Sequence, residues 1–128
     1  MHALEHSTIF EGEYGTEVQA DKRNHVSLHL VTTTFKKEEY ILPNIELLKK
    51  TVLTEKRLEE ISDRESLAKN FWIHVVDNGR TLSPEQMEAD HVQLHPNLNT
   101  GGAGGFTRGM LESLEHREKP TNVLLMDD

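Results

Sequence analysis

The sequence predicts an α/β fold: an open parallel sheet of about four strands with flanking helices. Three observations carry that prediction. Short β-prone runs alternate with helical stretches along the chain. Phe71-Trp72-Ile73-His74-Val75-Val76 is β-prone without a break, as a strand covered on both faces is. Polar residues gather directly after the runs, at the edge of an open parallel sheet where ligands bind.

Taken in order, residues 1–24 mix Gly, Glu and His with scattered apolar positions and read as a loosely packed lead-in, which leaves 25–128 as one domain. From Val26 a strand runs through Val31, and Thr32-Thr33-Thr34 carries it to a turn before Phe35-Lys36-Lys37. Ile41, Ile45, Leu48 and Val52 share one face of a helix, whose regular part Pro43 is expected to start. Thr54 to Asn70 is dense in charge around a thin stripe of Leu58, Ile61 and Leu67, and reads as an inserted surface helix or excursion. Asp77-Asn78-Gly79 then breaks the Phe71–Val76 strand sharply. Ser83-Pro84-Glu85-Gln86 has the cap and first-turn proline of a short helix, and His91 to His95 reads as a short third strand. Gly101-Gly102-Ala103-Gly104-Gly105 is expected to lead into a helix ending near Glu115. Asn122 to Met126 is a fourth strand, followed by Asp127-Asp128. The rhythm is that of a Rossmann-like sheet.

Composition excludes several functions. The 128 residues are one domain's worth, and a net charge of −8 without a basic, aromatic-lined cluster argues against nucleic acid as a partner. There is no apolar run of roughly 18 residues and no secretory plan at the N-terminus, so a cytoplasmic protein is expected. Without cysteine, any metal must be held by carboxylate or imidazole. The eight histidines look scattered; His25 and His29 share a strand face, an incidental pairing rather than a zinc site. No Gly-x-Ser-x-Gly elbow is present.

The chemistry that remains lies after the strands. The glycine run lets backbone amides approach a ligand and precedes a positive helix end suited to a diphosphate, or it is only a flexible turn. It is neither a P-loop nor a dinucleotide fingerprint. Arg108 is a cation for phosphate or for a neighbouring carboxylate. Asp127-Asp128 at a strand end suits Mg²⁺ or Mn²⁺, unless it is a mere acidic tail. Asp77 either accepts hydrogen bonds from a base or ribose or caps its own turn.

Four motifs in this order resemble the family 2 glycosyltransferases of the GT-A fold, in their galactofuranosyltransferase-like and rhamnosyltransferase-like branch. They are Thr33-Thr34-Phe35-Lys36-Lys37, Val75-Val76-Asp77-Asn78-Gly79, Asn97 through Gly109, and Leu124-Leu125-Met126-Asp127-Asp128, and the resemblance spans Val26 to Asp128. It implies an inverting bacterial enzyme of cell-surface polysaccharide synthesis that uses a UDP- or dTDP-linked sugar, a glycan acceptor and Mg²⁺ or Mn²⁺. It would work in the cytoplasm or at the inner face of the membrane, as a peripheral protein, with a homo-oligomer as an expected partner state. By the resemblance Thr33 and Asp77 line the base and ribose pocket, and Asn78 belongs to the nucleotide-sugar-binding residues. Lys37 stands where an arginine is common. Asn97, Asn99 and the glycine loop with Gly102, Gly104 and Arg108 lie near ribose and diphosphate, and Asp127 and Asp128 begin the metal motif. Related chains continue with a third aspartate. The expectation is therefore the nucleotide-binding N-terminal half of a GT-A domain, inactive alone, with the last metal ligand and the catalytic base in a missing half. The main rival is a non-catalytic α/β module that oligomerises through an exposed sheet edge. A nucleotidyltransferase-like enzyme ranks last, because Thr33-Thr34-Phe35 stands where a glycine-rich loop would.

Overall fold

The computed structural model describes residues 25–53, 69–87 and 89–127, with Gly12, Gly15, Glu17 and Gln19 described singly. The rest of the lead-in, the inserted stretch over 54–68 and Asp128 lie outside the described residues. Four parallel strands, β1 (Leu28–Thr34), β2 (Phe71–Asp77), β3 (Val92–Pro96) and β4 (Asn122–Met126), form one sheet in the order β3-β2-β1-β4. Helices α1 (Glu38–Leu48), α2 (Pro84–Met87) and α3 (Gly101–Glu115) flank it, so the α/β open sheet read from the sequence is the fold. No described helix is long and apolar enough to cross a membrane.

Register sorts the side chains by face. Leu28 pairs with Phe71, Leu30 with Ile73 and Thr32 with Val75, while Ile73 and Val75 pair with Val92 and Leu94. Leu30, Phe71, Ile73, Val75, Val92 and Leu94 form the apolar core with Ile41 and Ile45 of α1, Leu82, and Met87 of α2. Leu48 and Val52, partly buried, extend that face of α1 into a π-helical turn over Lys49–Leu53. Burial of this kind contributes about 1.5–3 kcal/mol per large side chain. The opposite face, built on His29, Val31, Thr33, His74 and Val76, lies under α3.

Three expectations need correction. Helix α1 begins at Glu38 rather than at Pro43: the proline loses its own N–H bond and crowds the carbonyl four residues back, yet burial of Ile41 and Ile45 on either side of it carries the helix through. Tyr40 and Ile41 both donate to the Lys37 carbonyl at 3.1 Å to open the helix, and Glu38 and Glu39 suit its positive end. Strand β1 starts at Leu28 and includes all three threonines, whose β-branched side chains pack between two covered faces. The glycine run is no loop: Gly101 to Gly105 are the opening turns of α3 itself. The cap and first-turn proline expected of α2 stand: Ser83 N donates to Gln86 Oε1 and Gln86 N to the Ser83 carbonyl, both at 3.1 Å, and Pro84 is the first helical residue.

Candidate functional site at the strand ends

Thr34 and Asp77 end β1 and β2 side by side, and the turns that follow are tied to each other. The Asn78 N–H donates to the Thr34 carbonyl at 2.9 Å. Asp77 is fully buried, and its carboxylate accepts the N–H groups of Gly79 at 2.9 Å, Thr81 at 2.7 Å and Leu82 at 2.8 Å. Its carbonyl also accepts the Asn97 N–H at 2.9 Å. Both carboxylate oxygens are thus engaged by the loop toward α2, the turn-capping alternative, and Asp77 does not line the cleft described below. The Thr81 hydroxyl in that loop donates to Glu38, which holds the Glu38 carboxyl below its usual range and links the loop to α1.

Asn78 is the junction of the site. Its Nδ2 donates to Thr33 Oγ1 and to the Gly101 carbonyl, each at 3.2 Å, and its Oδ1 accepts Asn97 Nδ2 at 2.9 Å. One amide therefore connects β1, the segment after β3 and the start of α3. Asn97 also donates to Thr100 Oγ1 at 3.3 Å, and Asn99 Oδ1 accepts the Gly101 N–H at 3.2 Å. Gly101 enters the helix at φ 70, a left-handed conformation that an L side chain rarely adopts.

These ties frame a cleft of about 280 Å³. Thr33, Thr34 and Phe35 line it from the end of β1, Lys37 from before α1, and Asn78 from after β2. Asn99, Gly101 and Gly102 line it from the start of α3, and Asp127 from after β4. The chain runs outward from β1 to β3 and then returns to place β4 on the other side of β1. The gap between β1 and β4 is therefore the topological switch point, where open α/β sheets take their ligands.

Of the residues singled out in the sequence, Thr33, Lys37, Asn78, Asn99, Gly102 and Asp127 come together here. Asp77 and Asn97 act behind the wall. Gly104 faces the Thr100 side chain, where a Cβ would overlap it. Arg108 sits in the second turn of α3, and its Nε donates to Glu112 at 2.6 Å, so it serves a carboxylate neighbour rather than the cleft. Asp128 lies outside the described residues. Thr34 and Phe35 join the lining although neither was singled out; half-exposed Phe35 offers an aromatic surface at the cleft, and its place directly after an apolar strand was the available signal.

The cleft combines hydroxyl and amide groups, an ammonium, a carboxylate and the positive end of a 15-residue helix. Among the described residues no three His, Asp or Glu side chains are grouped to hold a metal ion. A hard cation carried on a diphosphate takes only one or two protein carboxylates, the other ligands being phosphate and water. Asp127 fits that use and would not suffice for a protein-only cage. Compared with family models, curated proteins and solved structures, the chain matches none.

Proposed function

We propose that the cleft binds the nucleotide and diphosphate of a UDP- or dTDP-linked sugar, and that the chain is the donor-binding part of an inverting, GT-A-type family 2 glycosyltransferase acting on a cell-surface glycan. The observation that carries this reading is the meeting of Lys37, Asp127 and the N-terminus of α3 at the switch point between β1 and β4. In it, the Thr33 hydroxyl donates to the nucleoside, Asn78 positions Thr33 and the start of α3, and Phe35 stacks on the base. Lys37 and the first amides of α3 hold the diphosphate, while Asp127 holds a Mg²⁺ or Mn²⁺ ion that neutralises it. Arg108, engaged by Glu112, has no role in this reading.

Calorimetric titration with uridine diphosphate, with and without Mn²⁺, tests it. Saturable binding strengthened by Mn²⁺ is expected, and Lys37→Ala should weaken it by about tenfold, the size of one charge-assisted hydrogen bond. Asp127→Asn should remove the Mn²⁺ enhancement and spare the metal-free affinity. A folded chain that binds no nucleotide, or binds it identically in both variants, would sink the reading.

A second reading, self-association through the sheet edge, has its own observation. Among the described residues β4 is an edge strand whose Val123, Leu124 and Leu125 are exposed, and it carries none of the lysines or prolines that usually blunt such an edge. If a second copy pairs there, sedimentation will report a concentration-dependent dimer that Leu124→Lys disperses. A monomer at all concentrations would exclude it.

A further inference from the structure

Between the sheet and α3 lies a row of imidazoles. His29 on β1, His74 on β2 and His95 on β3 all point to the α3 face, because the register sets Val31 beside His74 and Val76 beside His95. His29 Nδ1 stands 3.0 Å from His74 Nε2, and His74 Nδ1 stands 3.0 Å from His95 Nε2. At one end His95 Nδ1 is 3.7 Å from Glu112 Oε2 of α3; at the other, His29 Nδ1 is 3.1 Å from Ser113 Oγ of the same helix. His29 and His74 are fully buried, and His29 Nε2 has no hydrogen-bond partner.

Each nitrogen-to-nitrogen contact needs one proton, and each neutral imidazole carries one, so three neutral rings satisfy both inner contacts. The Glu112 carboxylate is an ion-pair neighbour of His95 beyond hydrogen-bond reach. A proton added to the row leaves a charge buried between the sheet and α3 beside other imidazoles, and opening the helix to water relieves that cost.

We propose that His29, His74 and His95 form an acid-released clasp that fastens α3 to the sheet while all three are neutral and lets the helix go when one is charged. It is independent of what the cleft binds. The other groups facing the row are consistent with it. Helix α3 contributes Glu112, itself held by Arg108, and Ser113; His116, just past the helix, packs edge-on to His29 at 5.1 Å and His74 at 5.6 Å between ring centres. His91, ahead of β3, stacks on Trp72 at 4.2 Å, and in register β4 sets Val123 beside His29 and Leu125 beside Val31, neither of them titratable. Burial, then the neighbouring imidazoles His116 for His29 and His95, His29 and His116 for His74, lower the two to about 4 and about 3. Because both lie below the ordinary imidazole value of 6.5, the clasp is whole above that pH and is lost as pH falls.

Long-range proton–nitrogen correlation of the imidazoles at pH 7.5 should report neutral rings for all three histidines. On acidification below pH 6.5, amides of residues 105–115 should lose exchange protection before those of β1 and β2. Emission from Trp72, the only tryptophan, should change in the same range, since His116 lies 4.2 Å away. A charged ring in the row at pH 7.5, or an α3 as protected at pH 4.5 as at pH 7.5, would overturn the proposal.

Discussion

The Asp77 carboxylate, which accepts three backbone N–H groups, shapes the wall of the cleft without lining it. A buried carboxylate so engaged is costly to remove, because three donors lose their partner at once. Asp77→Ala should therefore lower the unfolding free energy by about 3 kcal/mol in urea titration, and the folded fraction should keep whatever nucleotide affinity the wild type has. Loss of affinity with stability unchanged would return Asp77 to the ligand. The sequence left both roles open: an Asp before Asn-Gly at a strand end suits a ribose or a turn, and only the path of residues 79–82 decides. Asn78 was legible by position, but its reach to Thr33, Gly101 and Asn97 depends on three segments far apart in the chain.

At the scale of the element, α3 shows where local propensity misled. Four glycines in five residues argue for a loop, since each costs a helix about 1 kcal/mol relative to alanine. Tertiary packing reverses that preference. Gly105, Gly109 and Ser113, four residues apart, are the buried stripe of the helix; a Cβ on Gly105 would overlap Thr33, and one on Gly109 would overlap Val31 and come 3.2 Å from Val76. The four-residue spacing could be read from the sequence, but its meaning required the strand beneath. Two substitutions separate the effects. Gly109→Ala should destabilise by about 1–3 kcal/mol, because overpacking outweighs the propensity gain. Gly102→Ala, where a Cβ would meet nothing within 4 Å, should stabilise by up to about 1 kcal/mol. Thermal melts of the two variants moving in the same direction would refute this account. By contrast β2 and β4 were plain in the sequence, because uninterrupted apolar runs have few other uses in a domain of this size.

Over the whole molecule, parallel strands could be inferred from the βαβ rhythm, but the order β3-β2-β1-β4 could not, and that order creates both the switch point and the histidine row. His29, His74 and His95 are separated by 45 and 21 residues, so along the chain they look unrelated. Their effect on stability opposes that of net charge. The chain carries −8 at neutral pH and its pI is near 5.4, so mild acid reduces its self-repulsion. Surface charges are screened beyond about 8 Å at physiological ionic strength, which keeps that gain small. The buried imidazoles titrate in the unfolded chain near 6.5 and in the folded one only at about 4 and about 3. The unfolded state therefore binds more protons, and stability is full above pH 6.5 and declines below it. By pH 5 each buried histidine should have withdrawn about 2 kcal/mol, more than charge relief returns. The urea midpoint should consequently fall steadily from pH 7 to pH 5, toward the isoelectric point rather than away from it. A midpoint that rises or holds across that interval would mean that the imidazoles are already protonated, or already reached by water, in the folded protein.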